Sequence, residues 1–100
     1  MKIEVGKTYI DAQSDIVRII SKYLVEGIEI FEDNDTGTYT IEGYYKSDTN
    51  HNFNLICEVN EDIYTAYKQD LITKKEFLNK HFELYSGMTF EQYNAKNQIN

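Results

Sequence analysis

Residues 16–32 read IVRIISKYLVEGIEIFE, and this stretch decides the fold. Its first ten residues are rich in β-branched side chains and place apolar residues on both alternating faces. That pattern is typical of a long strand that is covered on both sides for part of its length. Glu26-Gly27 favours a tight turn, and in the returning strand we expect Ile28 and Ile30 to point inward and Glu29 outward. The stretch therefore predicts a long β-hairpin.

Shorter segments with strand-like alternation lie on either side of this hairpin. They are residues 2–10, 38–42 and 53–59, and polar turns or loops at 11–15, 33–37 and 46–52 separate them. Five short strands in about sixty residues are typical of small closed or meandering sheets. Residues 1–59 are therefore predicted to form a small five-stranded antiparallel barrel or meander, Src-homology-3-like in type.

The hydrophobic period changes at Asn60 from that of a strand to that of a helix. Asn60 can cap a helix, and capping-box patterns recur at Thr73 and Thr89. We therefore expect two or three short helices over residues 60–97, packed as a helical tail on the strands. The predicted class is α+β, and the predicted organisation is a single domain, 1–100.

Composition points to a compact globule in a reducing compartment. The chain has 100 residues, of which 41% are hydrophobic and 14% aromatic, enough for one core. Its single cysteine, Cys57, cannot form an internal disulfide, and the sequence shows no apolar run typical of a signal peptide or membrane span. We expect a cytoplasmic protein that does not act on membranes.

The negative charge is concentrated in the middle of the chain. Residues 26–62 contain ten acidic residues and one base, Lys46, for a formal charge of −9, while the whole chain carries −7. Such a surface repels phosphate backbones, because nucleic-acid affinity comes largely from lysine and arginine displacing counterions. Direct nucleic-acid binding is therefore not expected. The natural complement is a basic surface on another protein.

The candidate partner-binding residues lie on the predicted hairpins. Tyr44 and Tyr45 are rigid aromatic groups inside an acidic rim, an arrangement that suits an interface anchor facing arginine or lysine. The alternative is that one ring fills the end of the barrel while the other lies on the surface. The complete predicted set is Glu29, Glu32, Asp33, Asp35, Glu42, Tyr44, Tyr45 and Asp48.

Catalytic and metal chemistry are not indicated by any motif. The loop around Gly37 fails the EF-hand pattern, because the position of the terminal glutamate falls on Gly43. His51 and His81 are too far apart in the chain for the closely paired ligands of a typical zinc site. Cys57 lies on the inward face of a predicted strand, where it favours packing over nucleophilic chemistry. We expect no enzyme activity, no cofactor and no metal.

A discontinuous pattern in the strand region resembles a module of small bacteriophage proteins of unassigned function. The matching segments are Gly6-Lys7-x-Tyr9, Asp15-Ile16-Val17-Arg18-Ile19, Gly43-x-Tyr45 and His51-x-Phe53-Asn54-Leu55-Ile56-x-Glu58-Val59. This chain departs from the module at Asn54, where the module usually has aspartate, and lacks a tryptophan that often precedes the glycine. The resemblance implies a phage protein acting in the host cytoplasm, often by disabling a host enzyme or defence system.

A second resemblance concerns the beginning of the second predicted helix. Asp70-Leu71-Ile72-Thr73-Lys74-Lys75-Glu76-Phe77 is similar to the loop of the short C-terminal helical-hairpin domain found on many bacterial proteins. That resemblance implies a helical hairpin and, in some cases, self-association.

Three functional hypotheses follow. The first is a non-enzymatic acidic protein, phage-encoded, that inhibits a host nucleic-acid enzyme or antiviral defence complex by occluding its basic surface. The second is a structural or adaptor module that self-assembles through residues 61–93. The third is an oligomeric sponge for a nucleotide-like ligand, although a single arginine, Arg18, offers little to an anion.

Overall fold

A computed structural model describes residues 1–46 and 53–97 of the chain. Within these ranges it contains five antiparallel β-strands followed by three α-helices, which confirms the predicted α+β class. The chain divides into two compact units, a strand unit, Met1–Glu58, and a helical unit, Val59–Asn100. The boundary lies at the residues where the hydrophobic period changes.

The strands form one open sheet with the order β4-β3-β2-β1-β5. Their bounds are β1 (Thr8–Asp11), β2 (Ile16–Val25), β3 (Ile28–Asp33), β4 (Thr38–Tyr39) and β5 (Leu55–Glu58). β1 lies between β2 and β5, and β3 lies between β2 and β4, with every pairing antiparallel. The long β2 therefore occupies the middle of the sheet, as its apolar sequence predicts.

The β2–β3 hairpin extends beyond its neighbours. Glu26 and Gly27 both have positive φ, 52° and 82°, which matches a two-residue turn that follows the strand twist. β1 reaches along β2 only to Arg18, so the tip has no further strand beside it. Ile30 is buried as predicted, but the inward prediction for Ile28 is wrong, because its side chain at the tip is 58% exposed.

Several strands are shorter than their alternating sequences. β1 begins at Thr8 rather than at residue 2, and β4 ends at Tyr39 rather than at residue 42. The segment before β1 and the segment after β4 are instead joined to each other by a hydrogen bond that lies outside the strand pairs. The Ile3 N–H donates to the Ile41 carbonyl at 2.8 Å. Alternation therefore overestimates the length of these strands, because residues 5–6 and 41–42 lie in turns.

The core of the strand unit takes one side chain from each of the five strands and one, Ile3, from the segment before β1. It comprises Ile3, Tyr9, Ile19, Phe31, Tyr39 and Leu55. Cys57 is also buried, and burial raises the pKa of its thiol to about 11. The thiolate is scarce at neutral pH as a result, so the sulfur behaves as a small apolar group.

Local capping sequences set the beginnings of the helices. These are α1 (Glu61–Lys68), α2 (Lys74–Ser86) and α3 (Phe90–Asn97). The Asn60 side chain accepts hydrogen bonds from two backbone N–H groups of α1, and Thr73 forms a complete capping box with Glu76 at the start of α2. Gly87 ends α2 in the left-handed conformation, with φ of 75°.

His81 joins α2 to the start of α1. Its imidazole is buried, its Nε2 accepts a hydrogen bond from the Asn60 N–H at 2.8 Å, and its Nδ1 lies 2.7 Å from the Phe77 carbonyl oxygen. A carbonyl can only accept, so Nδ1 carries the proton and Nε2 is the acceptor. The helical unit therefore requires a neutral histidine.

We expect this neutral histidine to make the stability of the helical unit fall in mild acid. Burial lowers the pKa of His81 from 6.5, so the folded state binds fewer protons than the unfolded chain. The contribution is complete above about pH 6.5 and is lost as the pH falls through the depressed folded pKa. Urea unfolding followed by circular dichroism should give a lower midpoint at about pH 5.5 than at about pH 7.5.

His81→Gln should remove most of this pH dependence, because its amide oxygen can accept the Asn60 bond without titrating. The matched control is His51→Gln, a change at the other histidine, which lies outside the described residues. If the pH dependence of the urea midpoint persisted in His81→Gln and disappeared in His51→Gln, His81 would not be its source.

Candidate functional site

Two turns of the strand unit share one design. Between β1 and β2, Asp11 Oδ1 accepts hydrogen bonds from the backbone N–H groups of Gln13 and Asp15, at 2.8 and 2.9 Å. The Asp11 N–H in turn donates to the Asp15 carbonyl at 2.9 Å, and Ser14 takes a positive φ of 64°. The side chain of Asp11 thus organises the turn and is itself only 2% exposed.

The turn between β3 and β4 repeats this arrangement around Asp33. Its Oδ1 accepts from the N–H groups of Asp35 and Gly37, at 2.7 and 2.9 Å, and Thr36 has a φ of 66°. Asp33 is 4% exposed, and its second oxygen accepts a hydrogen bond from the Tyr39 hydroxyl at 2.7 Å. A Cβ at Gly37 would lie 2.6 Å from that oxygen, so the turn requires glycine there.

These two turns face a cavity of about 360 Å³ in the strand unit. The sheet order explains their proximity, because β1 and β3 pair with opposite edges of β2. The residues that line the cavity are Asp11, Asp15, Ile16, Val17, Asp33, Asn34, Asp35, Gly37, Tyr39, Tyr45 and Phe53. This lining, which we call the acidic cavity, holds four aspartates and no basic residue among the described parts of the chain.

Three aromatic rings form the other wall of the acidic cavity. Tyr39 and Tyr45 meet edge to face with ring centroids 5.5 Å apart, and Tyr45 lies 4.9 Å from Phe53. The Tyr45 N–H donates to the Asn54 side chain at 2.8 Å, which fixes the backbone that carries this ring. The cavity thus combines apolar ring surface with carboxylates.

Burial governs the protonation of the groups in the cavity. It raises the pKa of Asp11, an effect that the charges of Asp15 and Asp33 strengthen and that the backbone N–H donors oppose. Burial also raises the pKa of Tyr39 far above its usual range, reinforced by its hydrogen bond to Asp33. Tyr39 therefore remains a hydroxyl donor, and a cation near Asp11 would stabilise its carboxylate.

The acidic cavity brings together only part of the predicted partner-binding set. Asp33, Asp35 and Tyr45 line it. Asp35 is exposed at its rim, whereas the buried Asp33 accepts the hydrogen bonds that hold its turn. Tyr44 is 60% exposed and does not line the cavity, so the two neighbouring tyrosines take different roles.

The remaining predicted residues are spread over the strand unit. Glu29 is half-buried and forms an ion pair with Lys22 at 3.5 Å. Glu32 is half-buried on β3, and Glu42 is exposed after β4. Asp48 lies outside the described residues. The described acidic residues of the predicted set therefore divide between the acidic cavity, with Asp33 and Asp35, and separate positions elsewhere on the strand unit, with Glu29, Glu32 and Glu42.

Sequence reasoning missed Asp11, Asp15, Tyr39 and Phe53 as site residues. A signal for the first two was present, since residues 11–15 and 33–37 are both five-residue polar turns that begin with aspartate. The two aromatic residues gave no comparable signal, because an alternating strand pattern does not distinguish a ring in the core from a ring in a cavity wall.

Comparison of the chain with protein-family models, with curated proteins and with solved structures gave no match. The resemblance to a phage module therefore stays a prediction. Within the described ranges, no helix has the length and apolar character needed to cross a lipid bilayer. The same ranges contain no group of three or more histidine, cysteine, aspartate or glutamate residues arranged to hold a metal ion.

Proposed function

We propose that the protein is a non-enzymatic binding protein whose strand unit covers a basic surface of another protein and so excludes nucleic acid from that surface. The observation that carries the proposal is the acidic cavity, where four aspartates converge and none of the described lining residues is basic. The partner would therefore supply the positive charge that this chain lacks.

The distribution of charge supports the same proposal. Residues 1–58 contain eleven acids and five bases, so the strand unit carries −6 of the total charge of −7. Two of its bases are already paired, Lys7 with Glu4 and Glu58, and Lys22 with Glu29. An excess of negative charge of this kind accelerates and orients association with a basic partner, and its effect weakens as salt rises.

The phage resemblance adds a biological setting to this proposal. In that setting the target is a host nucleic-acid enzyme or an antiviral defence complex in the host cytoplasm, and inhibition is by occlusion. Surfaces that bind nucleic acid are rich in lysine and arginine, so an acidic protein can compete for them with a DNA duplex.

Neutralising the rim of the acidic cavity should weaken binding about tenfold, as expected for two interfacial charges worth about 0.7 kcal/mol each. The variant is Asp15→Asn with Asp35→Asn, since both side chains are exposed and neither holds a turn. The partner is captured from a bacterial lysate at low salt, identified, and then titrated as a purified protein. A short DNA duplex should compete with the wild-type chain for this partner and displace the chain from it.

The matched control is Glu26→Gln with Glu42→Gln, which removes the same charge from exposed positions outside the cavity. It should change affinity less than about twofold, because distant surface charges are screened. If both double variants lost the same affinity for the partner, or if binding did not depend on salt, the acidic cavity would not be the binding surface. Asp33 is excluded from the test because it organises the fold.

Self-association is the second candidate, favoured by exposed apolar side chains on the helical unit. Leu71 and Leu84 are each 72% exposed and Tyr85 is 53% exposed. Apolar groups of this size on a surface suit a protein interface. Light scattering of the free protein distinguishes the two candidate functions. A protein that stays monomeric at all concentrations does not self-associate, which leaves binding of a basic partner.

A further inference from the structure

Residues 20–25 of β2 have a neighbouring strand on one side only. β3 pairs with them on that side. On the other side the pairing of β1 ends at Arg18, and the chain just before β1 bonds only as far as Ile19. Among the described residues of the strand unit, no strand therefore lies beside this segment on the β1 side. We call this side of residues 20–25 the open edge.

The open edge presents main-chain groups to the outside of the sheet. Val25 and Ile28 close the two-residue turn, so they bond each other, and the alternation of an antiparallel ladder makes Tyr23 the next residue to bond β3. Lys22 and Leu24 therefore direct their N–H and C=O groups away from β3. The spacing of such donors and acceptors matches the main chain of another extended strand.

The side chains of the open edge do not protect it from pairing. Exposed edges are usually guarded by proline, by a short strand or by lysine. The chain contains no proline, β2 is ten residues long, and Tyr23, Leu24 and Val25 are apolar and exposed, Leu24 to 68%. Lys22 is the only charged residue of the open edge, and it already forms an ion pair with Glu29 at 3.5 Å. Its charge is thus compensated within the hairpin.

A second copy of the chain supplies a strand with complementary side chains. Residues equally far from a two-fold axis pair with each other, so an axis at Leu24 places Leu24 against the partner's Leu24 and Lys22 against the partner's Glu26. Tyr23 then lies opposite the partner's Val25, and aromatic and β-branched residues pair favourably across strands. An axis at Lys22 would instead oppose two lysines. The order of residues in the hairpin therefore favours the axis at Leu24.

We infer that the open edge of β2 pairs with the open edge of a second copy and joins the two sheets across a two-fold axis at Leu24. Residues 20–28 contain one lysine and one glutamate, so this part of the chain carries no net charge that would oppose the contact. A contact of this length is far smaller than a standard interface of about 20–30 residues a side, so we expect a weak dimer with a dissociation constant on the order of 100 µM. It uses none of the residues that line the acidic cavity.

A cysteine at the axis tests the pairing and its register. In Leu24→Cys the two Cα atoms would lie about 5.5 Å apart, so mild oxidation of the full chain should give a covalent dimer that reduction reverses. Val25→Cys is the neighbouring control, because diagonal positions lie about 7–8 Å apart, too far for a disulfide. Cys57 is buried and its thiol has a raised pKa, so the unmodified chain should stay uncrosslinked. Gel electrophoresis without reductant gives the result.

Sedimentation velocity of the full chain tests the same contact without a crosslink. Leu24→Lys should raise the dissociation constant of the dimer at least about tenfold, because two lysines then face each other at the axis. Glu26→Lys should weaken the dimer for a similar reason, since its new charge faces Lys22 of the partner subunit. Leu84→Lys, the same change at an exposed leucine of α2, should leave the dissociation constant within about twofold.

Four results would overturn the inference. The first is a chain that stays monomeric up to about 1 mM. The second is equal crosslinking of Leu24→Cys and Val25→Cys. The third is dissociation by Leu84→Lys and not by Leu24→Lys, which would place self-association on the helical unit. The fourth is a monomer whose Lys22 and Leu24 amides become protected from hydrogen exchange only by a different protein, which would assign the open edge to a foreign strand.

Discussion

Replacing Asp33 with alanine is expected to lower the free energy of unfolding by about 3–4 kcal/mol, a large share of the stability of a small domain. The substitution removes the acceptor for the N–H groups of Asp35 and Gly37 and for the Tyr39 hydroxyl. Tyr39 is 1% exposed and Gly37 is buried, so water cannot replace the lost bonds without a rearrangement. Urea unfolding followed by tyrosine fluorescence measures the loss.

Two further variants separate the turn from its charge. Asp35→Ala removes an exposed carboxylate two residues away and should change stability by less than about 0.5 kcal/mol. Asp33→Asn keeps an oxygen for the two backbone donors, and Tyr39 can accept from the new amide, so it should cost about 1–2 kcal/mol. If Asp33→Ala and Asp35→Ala were equally stable, Asp33 would not organise this turn.

The same residue shows that charge alone does not separate carboxylates that hold the fold from carboxylates that lie on the surface. Asp33 and Asp35 look equivalent in the sequence, yet one is 4% exposed and the other lies on the surface. The difference arises from hydrogen bonds across the turn and from Tyr39, a residue on the next strand. Counting carboxylates predicts where negative potential is concentrated but not which carboxylates remain available to a partner.

Local signals predicted the helical unit well. Asn60, Thr73 and Thr89 each begin a helix, and the Thr89 pattern is present as reciprocal hydrogen bonds with Gln92. Such motifs depend on residues at most three positions apart, so their geometry follows from the sequence. The Glu26-Gly27 turn was predictable for the same reason.

Non-local pairing explains what the sequence could not predict. The β2 apolar pattern indicates burial on both faces, but Tyr23, Leu24 and Val25 are exposed, in a part of the hairpin to which neither β1 nor β4 extends. The acidic cavity likewise depends on β1 and β3 lying on opposite edges of β2. Asp11 and Asp33 come together only through that strand order.

Phe82 is the residue whose truncation should most disturb the helical unit. Its ring is 1% exposed and lies 5.1 Å from the Phe90 ring and 4.9 Å from the Tyr93 ring, so it attaches α3 to α2. The Phe90 N–H also donates to the Asn79 side chain at 3.0 Å, but one peripheral bond contributes far less than the buried rings. Phe82→Ala should cost about 3–5 kcal/mol.

Circular dichroism during urea unfolding measures that cost, and amide hydrogen exchange over residues 90–97 shows whether α3 detaches. Leu84→Ala is the matched control, because Leu84 lies two positions away on the same helix and is 72% exposed. Its truncation removes little buried surface and should change stability by less than about 0.5 kcal/mol. If both variants lost the same stability and kept α3 protected, the aromatic cluster around Phe82 would not be what holds this helix.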